Sequence, residues 1–173
     1  MKTLILFRHA KSDWDADTGR DRDRPLSSRG MRAARVMGRF LSLAAQLPDS
    51  VVTSSALRAR TTVELAAEAG EWKCPIRVND ALYEATPFKI LEEIRREPEP
   101  SATLLLGGHE PTWSELASLL VGGGTLMIPT ATMVRIDFGL DTWASIAYGE
   151  GALVWLVPPR LFTKGEFDFA GKE

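Results

Sequence analysis

The sequence predicts an α/β fold, a three-layer α/β/α sandwich around a mainly parallel but mixed sheet, and three features of the 173-residue chain carry that prediction. Six short apolar runs are bounded by polar, glycine or proline residues, the pattern of buried strands. Segments with helical periodicity separate several of these runs, and strands alternating with helices pack as parallel neighbours joined by crossovers. The last two runs are separated by only a short connection, which predicts a hairpin and therefore an antiparallel part of the sheet.

Residues 3–7 make the first expected strand, which runs directly into Arg8 and His9. The first helix is expected over 28–47, where Ala33, Val36, Met37, Phe40, Leu41, Ala44 and Leu47 recur at three- and four-residue intervals and build one apolar stripe. Arg32, Arg35 and Arg39 fall on the opposite, wet face, and Pro48 ends the helix. Strand 50–53 leads into a second helix over 56–69, with Ser55 as the expected N-cap and Gly70 as the expected C-cap. Strand 76–78 precedes "ALYEATP", and a third helix over 88–96 stops before Pro98. Strand 102–106 runs into "GGHEPT"; a fourth helix then opens with Pro111 at its first position and carries Leu116, Leu119 and Leu120. The hairpin strands are 133–138 and 152–157.

Three remaining stretches carry weaker signals. The glycines at 122–124 follow a helix and lack the lysine of a P-loop, so they read as a turn. "RDRDR" at 20–24 alternates in sign and reads as a solvated loop, with a basic rim that recruits phosphorylated substrates as the functional alternative. The tail 161–173 mixes Phe162, Phe167 and Phe169 with charges and is either a docked or a flexible end.

A chain of this length fits one domain, 1–173. It is 45% hydrophobic and 25% charged, the composition of a globular enzyme. No apolar run approaches the roughly 20 residues that cross a bilayer, so no membrane role is expected. With a net charge of -2 there is no global bias toward nucleic acid, and any anion site must be local. The apolar stretch after Lys2 is short and interrupted by Arg8, unlike a signal peptide. Cys74 is the single cysteine, so no intrachain disulfide forms and a cytoplasmic location is the expectation.

The chain has only two histidines, and both follow an apolar run, in "LILFRHAKS" and "LLLGGHEPT". Ligands of open α/β sheets collect at the carboxyl ends of the strands, where both histidines sit. Arg58 falls in the first turn of the second helix and Glu84 between a strand and a helix, so Arg8, His9, Arg58, Glu84 and His109 are expected along one rim. Guanidinium groups match the oxygens of a phosphoryl group in two-pronged geometry. A neutral imidazole can attack phosphorus and later release the group, which divides one hard displacement into two easier ones. Phosphoryl transfer needs mainly alignment and charge stabilisation, which two arginines and a second histidine supply. Nearby arginines are expected to favour the uncharged His9, and a hydrogen bond from one ring nitrogen to a backbone carbonyl would determine which nitrogen attacks. The histidines and the cysteine lie far apart without ligand spacing, so neither a metal nor another cofactor is expected. Ser54 and Ser55 lie in no G-x-S-x-G context.

"FRHAKSDW", "RPLSSRG", "TSSALRARTT", "LYEATP" and "GGHEPT", taken together and in this order, resemble the histidine phosphatase, or phosphoglycerate-mutase-like, superfamily, and most of all its short branch of SixA-type phosphohistidine phosphatases. The resemblance implies the phosphoglycerate-mutase-like fold over nearly the whole chain. It also implies His9 as the phosphorylated nucleophile, with Arg8, Arg58 and His109 completing the phosphate pocket. Arg24, in "RPL", belongs to the matched motif and is a candidate substrate-binding residue. Glu84 matches the position that donates a proton to the leaving group, although a solvated loop carboxylate is an equal reading. A general acid matters by roughly 10²–10⁴-fold for an alkoxide and less for a departing imidazole. Thr61 stands where related chains often carry glutamine, which puts a secondary helix contact in doubt. The chain lacks room for the insertions that shape sugar-phosphate specificity, so an open entrance suited to a phosphorylated protein surface is expected.

The resulting expectation is a phosphatase that passes a phosphoryl group from substrate to His9 and then to water, with phosphohistidine on a protein as substrate. A phosphatase or mutase for small phosphate esters is the rival within the class. A non-catalytic phosphate-sensing module is the rival outside it, and oligomeric state is not legible.

Overall fold

The computed structural model describes residues 1–163, in which one six-stranded sheet runs in the order β3-β2-β4-β1-β5-β6. The strands are β1 (Lys2–Arg8), β2 (Ser50–Ser54), β3 (Ile76–Asn79), β4 (Thr103–Gly108), β5 (Met133–Phe138) and β6 (Ala152–Val157). The helices are α1 (Ser28–Leu43), α2 (Leu57–Ala69), α3 (Pro87–Arg95), α4 (Thr112–Leu120) and the single turn α5 (Arg160–Thr163). β4 lies between β1 and β2 and is parallel to both, and β2 is parallel to β3. β5 is antiparallel to β1 and to β6, which makes the sheet mixed.

Side chains alternate across the sheet, so each central strand supplies both faces. Leu4 and Leu6 of β1 join Leu104, Leu106 and Val134 in a core completed by Ile90, Ile94, Trp113 and Leu116 of α3 and α4. Ile5 and Phe7 join Val51, Leu105 and Met133 in a second core completed by Met37, Leu41, Val63 and Ala66 of α1 and α2. Each fully buried Leu, Phe or Met side chain contributes about 1.5–3 kcal/mol relative to exposure, so both layers are held by substantial apolar burial.

α1 meets α2 at very short range because Gly38 faces it. A Cβ at Gly38 would lie 1.9 Å from the Ala66 carbonyl oxygen. The helix ends earlier than its apolar stripe suggests. Ala45 takes φ 54°, and the Gln46 and Ala45 N–H groups donate to the Leu41 and Ser42 carbonyls, a Schellman end that stops α1 at Leu43 and leaves Leu47 exposed. α2 also departs from expectation: its N-cap is Ala56, not Ser55, and no side chain caps it. Pro111 precedes the first turn of α4 as its N-cap. The expected tail begins within α5, and its Phe167 and Phe169 lie outside the described residues.

Candidate active site

Strand register brings the two histidines together. Arg8 pairs with Gly108 across the parallel β1 and β4, so the residue after each strand leaves the sheet on the same rim. The His9 N–H donates to the Gly108 carbonyl at 2.9 Å, and the two imidazole rings lie 5.2 Å apart, tilted by 53°. The packing of the β4 end needs the glycine pair. A Cβ at Gly107 would come within 2.6 Å of Val63 Cγ2, and one at Gly108 within 2.2 Å of Trp113 Cη2.

Nδ1 of His9 lies 2.8 Å from the Ala10 carbonyl oxygen. A carbonyl can only accept, so Nδ1 carries the proton and Nε2 keeps the lone pair. The His9 pKa is pushed down to about 4, first by burial and then by Arg58, Arg8 and Arg24, against the opposing bond to Ala10. Burial, more than the expected arginines, keeps the ring neutral. His109 is pushed down to about 3, again by burial first and then by His9 and Arg58. Its Nε2 lies 2.8 Å from the Ser54 hydroxyl, and its Nδ1 is buried without a partner among the described residues.

Arg58 enters from the first turn of α2 and is buried. Its helix is tied to the β1 loop through Thr62, whose hydroxyl donates to the Arg58 carbonyl at 2.6 Å and accepts the Ala10 N–H at 3.0 Å. Arg8 is partly buried and donates Nη1 to the Ile128 carbonyl at 2.7 Å. Arg24 is buried too, with its guanidinium 3.4 Å from the centroid of the exposed Trp14 ring. The Nε atoms of all three arginines and Nη1 of Arg24 lack hydrogen-bond partners among the described residues. Buried donors left unpaired cost about 1–3 kcal/mol each, so this cluster is built to meet acceptors.

The segment 20–24, which reads as a solvated loop with a basic rim as its functional alternative, lies against the site. Residues Asp21–Asp23 form a 3₁₀ turn, and the Asp21 carboxylate bridges Arg24 and Arg58, 3.0 Å from Arg58 Nη2. Burial works to raise the Asp21 pKa, but the two arginines outweigh it and hold the carboxyl below its usual range. Arg22 pairs with Asp80 and lies over the Tyr83 ring. Glu84, with φ 49°, is exposed on the wall of a cavity of about 380 Å³ that Asp21, Arg58, His109 and Glu110 also line. Arg8, His9, Arg24, Arg58, Glu84 and His109 thus share one rim.

The model of the histidine phosphatase superfamily, branch 1, matches residues 4–107. The chain belongs to the histidine phosphatase superfamily. An uncharacterized protein of Mycobacterium tuberculosis is 38% identical over 166 residues, covering 89% of this chain and 100% of that one. A 2,3-bisphosphoglycerate-dependent phosphoglycerate mutase of Thermobifida fusca is 39% identical over 105 residues, 56% of this chain and 42% of the mutase. Among solved structures, a protein from Nakamurella multipartitia described as a phosphohistidine phosphatase SixA superposes with TM-score 0.77 at 29% identity, over 91% of this chain and 96% of that one. As a member of this superfamily with a SixA-like fold, the chain is a phosphatase or mutase.

Ser54, Asp21 and Glu110 also border this site, and no motif in the sequence marks them out as site residues. Ser54 carries no motif, and its role appears only once β2 packs beside β4 and brings its hydroxyl to His109. Asp21 was readable only as a charge offsetting its neighbours. Glu110 had one signal, its place directly after His109. Its Oε1 is buried without a partner, and burial raises its pKa against the opposing pull of Ser114 and Arg8.

Proposed function

We propose that the chain is a phosphatase working through a phosphohistidine intermediate, with His9 as nucleophile and a phosphohistidine side chain on a protein as substrate. The observation that supports this most strongly is the neutral His9, its Nδ1 committed to Ala10 and its Nε2 free, ringed by arginine donors without partners and by His109. Nε2 attacks phosphorus while the bond to the leaving group breaks, and the phosphoryl group passes to His9. Arg8, Arg58, Arg24 and His109 bind its oxygens as charge develops; Arg24 and Arg58 exchange the Asp21 carboxylate for phosphoryl oxygens as they do so. Ser54 already accepts the Ala56 N–H, so its own O–H suits donation to His109 Nε2, which leaves Nδ1–H to serve the phosphoryl group. Water then attacks phosphorus, His9 leaves with its lone pair, and inorganic phosphate departs.

When the leaving group is an alkoxide, Glu84 on the cavity wall donates its proton. A departing imidazole needs little such help. Asp21, Glu84 and Thr86 on the rim are all exposed, so a side chain carried on a protein surface has an approach from solvent. The positive charge that phosphoryl transfer requires comes from arginine, and we read the reaction as metal-free. We also read 1–173 as one catalytic domain and the enzyme as cytoplasmic; among the described residues no helix is long and apolar enough to cross a membrane. The partial match to a mutase supports the second reading, a phosphatase or mutase for small esters.

One preparation of the full chain, assayed in chelator against phosphohistidine peptides, sugar phosphates and aryl phosphates, separates these readings. The first reading requires the highest kcat/KM on the peptides. Preference for a sugar phosphate by tenfold or more would replace it with the second, and turnover of none would leave a phosphate-binding protein.

A further inference from the structure

The charge around the site is divided between its two sides. On the β4 side, the cavity wall carries Glu84, Glu110 and Glu115, beside Asp21, whose carboxylate is paired with Arg24 and Arg58. On the β5 side lies a second depression, a groove of about 610 Å³ whose lining among the described residues holds four cations, Lys11, Arg29, Arg32 and Arg160, and no carboxylate. All four are exposed, and none forms an ion pair among the described residues.

The placement of these cations works against local stability. Arg29 lies in the first turn of α1, and that turn carries no acidic residue, so the positive end of the helix dipole is reinforced instead of balanced. Arg32 lines the groove one turn further on, and Arg160 approaches from α5. In a chain whose net charge is -2, this is a concentrated local excess of positive charge.

The groove is continuous with the catalytic rim. Lys11 is two residues from His9, a span of at most about 7 Å, and the Lys11 carbonyl accepts the Ser27 N–H and hydroxyl at the start of α1. Ala131, in the groove floor, donates its N–H to the His9 carbonyl at 3.1 Å. A ligand seated there would reach the phosphoryl pocket along its β5 edge.

We propose that this groove docks an acidic segment of the protein whose phosphorylated side chain is presented to His9, an inference that rests on the reading of a protein substrate given above. Charge complementarity selects this occupant. A nucleic acid fits less well, because among the described residues no aromatic ring lines the groove for base stacking, and the carboxylates across the rim repel a phosphodiester chain. The opposed charges on the two sides also orient the partner, acidic face toward α1 and basic or neutral face toward the β4 side.

The direct test uses phosphate-free peptides, so that binding to the groove is read apart from turnover. An acidic peptide, a neutral peptide of equal length and a single-stranded oligonucleotide of equal charge are titrated into the full chain, into Arg29→Ala/Arg32→Ala/Arg160→Ala, and into Arg160→Glu alone. Aryl phosphate hydrolysis by each variant reports that fold and pocket are intact. The proposal predicts that the acidic peptide binds at least about tenfold more tightly than the neutral one at low salt, and that about 0.5 M salt or the triple variant abolishes the difference. Arg160→Glu should weaken it severalfold, and phosphohistidine peptides with acidic flanks should show the same ordering in kcat/KM. Equal binding of acidic and neutral peptides, a preference that survives both variants, or oligonucleotide binding as tight as that of the acidic peptide would each overturn it. If acidic peptides bind as predicted but no phosphohistidine peptide is turned over, the groove stands and the substrate assignment falls.

Discussion

An imidazole whose pKa lies near 4 stays mostly neutral, and able to attack, from about pH 6.5 down toward 4, where an ordinary histidine would already have gained a proton. For His9, with Nδ1 bonded to a carbonyl, the neutral form also has its lone pair on Nε2. Since the shift is downward, acidification abolishes the nucleophile only as pH falls through about 4, and no loss is expected through the usual value of 6.5. The kcat/KM profile of the free enzyme, corrected for substrate ionisation, should therefore be flat from pH 7 to about 5; an acid limb centred near 6.5 would show an unshifted histidine. Ser54 acts through His109. Ser54→Ala removes one hydrogen bond worth about 1 kcal/mol, so kcat should fall about five- to tenfold with KM nearly constant. A change confined to KM would assign Ser54 to substrate binding instead. The positions of His9, His109, Arg8 and Arg58 were legible because each stands next to a strand end or in a first helical turn. Ser54 was not, since its partner lies 55 residues away and is reached only through sheet pairing.

Among the elements, the segment carrying Asp21 has the most direct bearing on chemistry. Its carboxylate occupies the guanidinium groups of Arg24 and Arg58, so under the proposed function it would compete with an arriving phosphoryl group for the same donors. Asp21→Asn removes the charge and keeps the shape. Inorganic phosphate should then inhibit about three- to tenfold more strongly, and unchanged or weaker inhibition would mean that Asp21 organises the arginines without competing. Helix packing gives a second prediction. Backbone faces backbone at Gly38, and no rotamer change can relieve a Cβ placed 1.9 Å from an oxygen. Gly38→Ala should cost about 3 kcal/mol and lower Tm by about 6–12 °C, whereas a Tm within about 2 °C of the parent would show that α1 and α2 can part freely. The apolar stripe located α1 well but misplaced its end, because Leu47 continues the periodicity while the left-handed Ala45 has already turned the chain away. Nothing in the side chain of an alanine announces that conformation.

At the scale of the whole molecule, two apolar layers fix a sheet whose central strands end at the reaction site. The alternation of strands and helices and the antiparallel final pair were readable from patterning. The order β3-β2-β4-β1-β5-β6 was not, because long-range pairing is decided by which crossovers pack, and several strands are apolar enough for an interior position. That order puts β1 between β4 and β5, and hence His9 between an acidic wall and a basic groove. Neither side is visible in a net charge of -2. The account as a whole rests on transfer of the phosphoryl group to the His9 nitrogen. Rapid mixing of the full chain with a phosphoryl donor, followed by intact-mass measurement within the first turnovers, tests that step. The expected result is a transient, acid-labile gain of one phosphoryl group, located on His9 and absent from His9→Ala. Hydrolysis with no phosphorylated enzyme at any time point, or undiminished hydrolysis by His9→Ala, would contradict it.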